Sequence, residues 1–461
     1  MRPTRWRRST HLAIGIAVIG LVAVVVTATA LLTGARRAGH AQALPPPAVA
    51  AADPAVVPVD DDAPIPTPAG LTRALAAPLA DPNLGALTGR ITDAETGAQL
   101  WQQGDSIPMQ PASTNKVLTT AAALLTLDRD ERLTTRVVAG DETGRSGVVV
   151  LVGGGDPTLS AAPPGEDTWY QGAARIGDLA DQVRRSGVTA TAVRVDTSLY
   201  SGPKMAPGWD PADIGGGDIA PIEPVMIDCG RTQPTTVDSR RSSTPALDAG
   251  RALAAALGID PATVTTTPGP AGGRELAAVH SAPLIERLRQ MMNDSDNVMA
   301  ETIGREVAAH AGHPESFAGA VAAVTGTLRQ AGIDLAGARL LDSSGLSVDD
   351  RLTATTLDEV VGEAAGPDRP RLRWLLDLLP IAGGSGTLSY RFLAPDAIRP
   401  AAGWLRAKTG SLTGTNALAG IVTDTSGRVL TFSFISNNAG PTGRTALDAL
   451  AATLRMCGCG S

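Results

Sequence analysis

Cysteine is scarce in this 461-residue chain, which holds only Cys229, Cys457 and Cys459. Three residues so placed exclude a disulfide scaffold and a zinc site. Two readings stay open for them: one pair oxidised outside the cytoplasm, or small buried and tail residues without a role. Histidine is nearly as sparse, at positions 11, 40, 280, 310 and 313. Two of these precede the folded body. The other three lack the spacing of a metal pair on one helix face or of a serine–histidine triad, so no metal or cofactor is expected. Any nucleophilic mechanism here therefore needs a base other than histidine. Surplus positive charge is also missing: the formal net charge is −7, the isoelectric point is near 5.4, and no basic stripe is present to neutralise phosphates. Nucleic acid is excluded as a partner.

Lysine is rarest among the basic residues. Of 39 lysines and arginines only Lys116, Lys204 and Lys408 are lysine. An exposed cation can be arginine, as it is nearly everywhere in this chain, but arginine cannot give up its proton and so cannot serve as a base. Where lysine is kept, chemistry is the first explanation to test.

The length and the 43% hydrophobic content imply two or three packed units. Arg2, Arg5, Arg7 and Arg8 precede Leu12 to Leu32, 21 residues without a charge, long enough to cross a hydrocarbon core as a helix. Residues 1–35 are accordingly expected to be a basic cytoplasmic tip and a single-pass signal-anchor, with the remainder outside the cytoplasm. A cleaved, secreted form is the alternative, because Ala41-Gln42-Ala43 has the form of a cleavage site. Residues 36–70, rich in Pro, Ala, Val and Asp, read as an extended linker, with folding expected to begin near Leu71.

Leu87 to Asp93 and Gln99 to Gln103 flank a turn and predict a β-hairpin. A helix is predicted from near Ser113. Its stretch Val117 to Leu127 is apolar almost all round, the pattern of a helix buried in a domain centre. From 135 to 277 short strands and turns rich in Gly and Pro predict an inserted β-rich module. Helical periodicity returns over Pro283–Met292, Ala300–Ala311 and Ser316–Ala331. Gly403–Lys408, Asn416–Thr423 and Arg428–Ser436 predict three strands, and Thr442–Met456 a closing amphipathic helix. Strands at both ends with helices between them imply an antiparallel sheet built from both termini, so residues 71–134 and 278–461 form one α/β domain.

Three short motifs follow in order: Ser113-Thr114-Asn115-Lys116, Ser295-Asp296-Asn297 and Lys408-Thr409-Gly410-Ser411. This S-x-x-K, S-D-N, K-T-G set marks serine acyl-transfer enzymes. Alone, S-x-x-K arises about once in a few hundred residues. Here, however, two of the three lysines in the chain fall inside the motifs. Residues three apart share a helix face, so the Lys116 amine lies near the Ser113 hydroxyl and is the candidate general base. Burial, with Lys408 as a candidate second cation nearby, is expected to lower the Lys116 pKa. Ser295 is read as a proton relay to the leaving amine, Asn297 as a ligand of a substrate amide, and Asp296 as structural. Lys408, Thr409 and Ser411, at the end of a strand with Gly410 between them, offer a cation and two hydroxyls to a C-terminal carboxylate. Backbone N–H groups of Ser113 and Ser411 are the expected oxyanion hole.

At these residues the chain resembles the penicillin-binding proteins, and specifically the class C, PBP4-type D-alanyl-D-alanine carboxypeptidase/endopeptidases of peptidase family S13. The gap of 179 positions between Lys116 and Ser295 matches the large insertion of that family. Gly154-Gly155-Asp156-Pro157-Thr158-Leu159, Ala206-Pro207-Gly208-Trp209, Asp342-Ser343-Ser344-Gly345-Leu346-Ser347 and Leu379-Pro380-Ile381-Ala382-Gly383 are also similar to it, most of them as turns and packing. The resemblance implies a transpeptidase/β-lactamase-like α/β domain with an antiparallel five-stranded sheet, interrupted by the insertion. It implies action on peptidoglycan stem peptides through a Ser113 acyl-enzyme, without a cofactor, and acylation of the same serine by β-lactams. It also implies that Asp213 receives the amino end of a diaminopimelate-type side chain, although Gly215-Gly216-Gly217 departs from the family there. The alternatives are a β-lactamase, disfavoured because no E-x-x-L-N-like segment follows Ser295, and an inactive cell-wall binding protein.

Overall fold

The computed structural model describes residues 23–25, 27, 63–141, 147–267 and 269–457. Residues 1–57 and 58–461 form two separate units, and the second carries all three motifs. Of the Leu12–Leu32 stretch only Ala23, Val24, Val25 and Thr27, all helical, are described, so the predicted span lies otherwise outside the described residues. Among the described residues no helix is long and apolar enough to cross a membrane.

Regular structure in the second unit starts slightly before the expected point, in the helix Pro68–Leu79. Thr67 caps it by accepting from the Gly70 N–H at 3.1 Å, and Pro68 fits the first turn, where no intrahelical donor is needed. The strands run β1 (Ala86–Asp93), β2 (Gln99–Gln103), β3 (Thr134–Ala139), β4 (Val148–Val152), β5 (Asp156–Leu159) and β6 (Ala192–Asp196). They continue as β7 (Val225–Ile227), β8 (Thr265–Thr267), β9 (Glu275–His280), β10 (Leu405–Leu412), β11 (Thr415–Thr423) and β12 (Val429–Asn437).

The first sheet has the order β10-β11-β12-β1-β2, antiparallel throughout, so the amino-terminal hairpin closes against the carboxy-terminal meander through β1 and β12. Period-two alternation decides its faces. Leu430, Phe432 and Phe434 pack with Leu71 and Leu75 of the first helix and Leu447, Leu450 and Leu454 of the last, Gly443–Met456. Ile435, Ala417 and Ala419 face the opposite way, into the central helical core. That core is built on the helix Lys116–Thr126, whose residues 116–124 are all buried. Helices Asn297–His310, Phe317–Gln330 and Ala354–Ala365 surround it, and the small side chains Thr119 to Ala123 admit their close approach.

The inserted segment carries a second sheet, β8-β6-β4-β3-β9, with β4, β6 and β8 parallel and β3 antiparallel to both neighbours. Parallel neighbours need crossovers. Helices Ile176–Arg185 and Pro245–Leu257 supply them and pack on the sheet, so the module is α/β where the strand-rich sequence pattern pointed to strands alone. The short parallel pair β5–β7 stands apart from both sheets. Of the cysteines, Cys229 is free and buried, and Cys457 is disulfide-bonded.

Candidate active site

Three elements deliver the motifs to one place, and each differs slightly from its sequence expectation. Ser113 lies on a 3-10 turn, Ala112–Asn115, that leads into the helix beginning at Lys116. Asn297 is the first residue of its helix, with Asp296 as the N-cap, its carboxylate accepting from the Met299 N–H at 3.0 Å. β10 runs on through Lys408-Thr409-Gly410-Ser411 to Leu412 instead of ending at Lys408. It is the edge strand of the sheet, and Ile381 bridges its outer side only at Arg406.

The backbone is constrained on both sides of the chemistry. Ala112 (φ 48°) and Ser295 (φ 57°) are non-glycine residues in the left-handed region, where local strain of order 1–3 kcal/mol persists only if the surroundings enforce it. Two glycines permit the close packing that does so. A Cβ on Gly410 would lie 2.6 Å from the Pro111 carbonyl oxygen, and one on Gly345 only 1.9 Å from that of Ala112. Gly410 thus serves the approach of the nucleophile turn and does not line the cleft.

Lys116 is fully buried, and its Nζ donates to three oxygens: Ser113 Oγ at 2.9 Å, Asn297 Oδ1 at 2.6 Å and the Ser344 carbonyl at 2.9 Å. Two of these partners are carbonyls, which can only accept. A neutral amine keeping both of those bonds has its lone pair left for Ser113, the one partner able to donate. Burial lowers the lysine to about 8, while Asp342, Asp296 and Glu301 pull the other way. Burial is the largest cause, as expected from the sequence, and the repulsion between Lys116 and Lys408 acts on both amines in the same direction.

Lys408 is also fully buried, donating to Ser295 Oγ at 2.9 Å and to the Thr409 carbonyl at 3.0 Å. Burial, then Lys116 and Arg391, hold it well below the usual lysine range. Both serine–lysine pairs open on a cleft of about 600 Å³ lined by Ser113, Ser295, Asn297, Thr409, Ser411 and Asp213, with Thr387, Asp218, Asp294, Arg391 and Arg444 among the other walls. Thr387 and Thr409 hydroxyls meet at 2.8 Å. Asp213 is raised by partial burial and by Asp218 and Asp210. Larger hollows lie elsewhere, around Trp374, but none of the motif residues lines them.

Asn297 makes two contacts that the sequence did not foresee. Its Oδ1 receives Lys116 and its Nδ2 donates to the Asp218 carbonyl at 2.9 Å, so it orients the base and joins the insertion to the site. The loop Asp342 to Ser347, expected from the sequence to be packing, also shapes the base. Asn115 Nδ2 donates to the Asp342 carbonyl, Thr119 Oγ1 to that of Ser343 and Lys116 to that of Ser344. Beneath them Glu301 Oε1 accepts from the Ser343 and Ser344 N–H groups, both at 2.9 Å, and the Asp342 carboxylate accepts from Ser344, Gly345 and Ser347 N–H and from Trp209 Nε1. Burial, followed by Asp342, raises Glu301 to about 8. Among the described residues no group of three or more His, Cys, Asp or Glu is placed to hold a metal ion.

The sequence model of the D-Ala-D-Ala carboxypeptidase 3 (S13) family matches residues 71–241 and 234–454. The chain belongs to that family. A second model, the carboxypeptidase Rv3627c-like N-terminal domain, matches residues 1–58. The chain is 72% identical to carboxypeptidase DacB of Mycolicibacterium smegmatis and 67% identical to carboxypeptidase Rv3627c of Mycobacterium tuberculosis, covering 100% of each chain in both cases. In fold it is similar to the crystal structure of penicillin-binding protein 4 (dacB) from Haemophilus influenzae, at 23% identity and a TM-score of 0.67, over 85% of this chain and 98% of that one.

Proposed function

We propose that this protein is a serine-type D-Ala-D-Ala carboxypeptidase that acts on peptidoglycan stem peptides through an acyl-enzyme on Ser113. The observation that carries the reading is the Lys116 amine, desolvated and held between Ser113 Oγ and two carbonyls that cannot donate. Neutral Lys116 takes the Ser113 proton as Oγ attacks the carbonyl of the D-Ala-D-Xaa bond. The new oxyanion is received by the backbone N–H groups of Ser113 and Ser411. Ser295, in contact with Lys408, relays the proton held by Lys116 to the departing amine, so the C–N bond breaks and Lys116 is neutral again. Water then adds to the acyl-enzyme and gives a proton to Lys116, which passes it to Ser113 Oγ as the ester C–O bond breaks and the shortened peptide leaves. Lys408, Thr409 and Ser411 hold the terminal carboxylate, and Asp213 faces the amino end of a diaminopimelate-type side chain. β-Lactams present the same carbonyl and carboxylate and acylate Ser113.

The catalytic body is placed outside the cytoplasm on a membrane tether. What supports this is the uncharged Leu12–Leu32 stretch behind four arginines.

Mass spectrometry of the peptide labelled by a fluorescent penicillin tests the site, with D-alanine release from diacetyl-Lys-D-Ala-D-Ala testing the activity. Labelling at Ser113, lost in Ser113→Ala, is the expected result. Label on another residue, or release undiminished in Ser113→Ala, contradicts the reading. Membrane retention of the full chain, lost on deletion of residues 1–35, tests the tether.

A further inference from the structure

The Ser295-Asp296-Asn297 turn feeds both lysines, because Ser295 Oγ receives Lys408 and Asn297 Oδ1 receives Lys116. Asp296 between them points away from the cleft and is buried. Its Oδ2 accepts from Tyr170 Oη at 2.6 Å and from Arg241 Nη2 at 3.2 Å. Both donors come from the inserted segment, although 71 positions separate them in the chain. Tyr170 is 1% exposed and the Arg241 side chain 4%. The other two nitrogens of Arg241 also donate, Nη1 to the Cys229 carbonyl at 2.8 Å and Nε to the Gly217 carbonyl at 3.0 Å. Gly217 adjoins Asp218, whose own carbonyl receives Asn297 Nδ2. One guanidinium therefore ties the Asp213–Asp218 wall of the cleft to the turn that aims both serine–lysine pairs.

Packing alone does not call for this arrangement. Apolar side chains of the same volume fill a buried space without the cost of desolvating two charges and a phenol, whereas a hydrogen-bonded ion pair fixes position and angle. Resting on the acyl-transfer reading above, we propose that Tyr170 and Arg241 are positioning residues for the reaction: through Asp296 they hold Ser295 and Asn297 in register with Lys408 and Lys116. The inserted module is then a working part of the active site. Burial alone would push Asp296 up, but Arg241, the Tyr170 hydroxyl and the Met299 N–H hold it below the usual carboxylate range, so the clamp keeps its charge throughout the working pH range.

The test compares full-length wild type with Tyr170→Phe, Arg241→Lys and Arg241→Met. It measures acylation by a fluorescent penicillin, and kcat and KM for D-alanine release, per folded molecule as counted by circular dichroism and native gel filtration. The expected result is a fall in acylation rate and kcat of about tenfold in Tyr170→Phe, with KM little changed, since one charge-assisted hydrogen bond is lost. Arg241→Met falls further and Arg241→Lys recovers part of the loss. The pH at which acylation reaches half its plateau also moves, because the Asn297 carbonyl no longer holds Lys116 at its set distance. A purely structural role would lower thermal stability and leave rate and pH profile per folded molecule unchanged, and that outcome overturns the clamp. Tyr170→Phe keeps the test decisive if the arginine variants do not fold. Wild type that is labelled and releases D-alanine while all folded variants match it sinks the clamp alone; wild type that does neither sinks the acyl-transfer reading with it.

Discussion

Lys116 and Lys408 are both fully buried, and each donates to a serine hydroxyl at 2.9 Å, but their surroundings differ in sign. Around Lys116 stand Asp342, Asp296 and Glu301, which restore part of the protonation that burial removes and leave the amine at about 8. Around Lys408 the influential neighbours are cations, Lys116 and Arg391. The first lysine is thus poised to exchange a proton at working pH, as a base must. The second lies in a site short of negative charge, which a ligand carboxylate would supply. Two lysines in matching serine contacts are given different tasks by what lies one layer behind them.

Replacing each lysine by arginine breaks the comparison most directly. Lys116→Arg keeps a cation but loses the removable proton, and penicillin acylation of Ser113 is expected to fall by roughly 10²–10⁴-fold. Lys408→Arg keeps the charge a carboxylate needs and is expected to lose only about tenfold, largely in KM. Equal losses at both positions, measured by stopped-flow labelling, would remove the distinction.

Proton uptake sharpens it further. When a peptide ending in a carboxylate binds the Ser113→Ala variant, its charge favours protonated Lys408, so up to about one proton should be taken up at neutral pH. Calorimetry in two buffers of different ionisation enthalpy measures this. Uptake that persists in Lys408→Met would assign the proton elsewhere.

A smaller effect is expected in the pH profile. The neutral amine of Lys116 is the active form, so acylation should climb as pH rises and level off above about 8. Glu301→Gln removes a carboxylate that favours the protonated lysine, so the inflection should move to lower pH, by less than about one unit. An upward move, or none, would show that Glu301 does not act on the base.

The smallest effect on rate belongs to the far end of the sheet. Arg428 Nη2 binds Asp93 Oδ1 at 2.6 Å, with side chains 4% and 0% exposed. Arg428→Ala strands a buried carboxylate and should cost about 3 kcal/mol in urea unfolding while leaving acylation per folded molecule unchanged. A loss of rate there would mean that the site depends on more of the sheet than its own elements.

Much of the catalytic centre was legible because its signals are local. Three residues of helical spacing place Ser113 against Lys116 in any helix or tight turn. The rarity of lysine picked out Lys116 and Lys408, and alternation with apolar runs located β1, β2, β11, β12 and the helix Lys116–Thr126 to within a residue or two. Helices Ile176–Arg185 and Pro245–Leu257 were missed amid Gly- and Pro-rich turns, because parallel strands reveal their crossovers only when the sheet is seen. The part of Ser344 was hidden for another reason: it contributes a backbone carbonyl, which every residue has.

From the chain alone came the candidate nucleophile Ser113 with a lysine in place of a histidine beside it, and a sheet closed from both termini, since these rest on residue type and short-range periodicity. Only the folded arrangement decided which groups surround each lysine, that Asn297 orients the base, and that Tyr170 and Arg241 of the insertion reach Asp296. The reason is physical: an amine's proton affinity depends on burial and on charges a few ångströms away, and those neighbours are brought together from segments as far apart in the chain as Lys116 and Lys408.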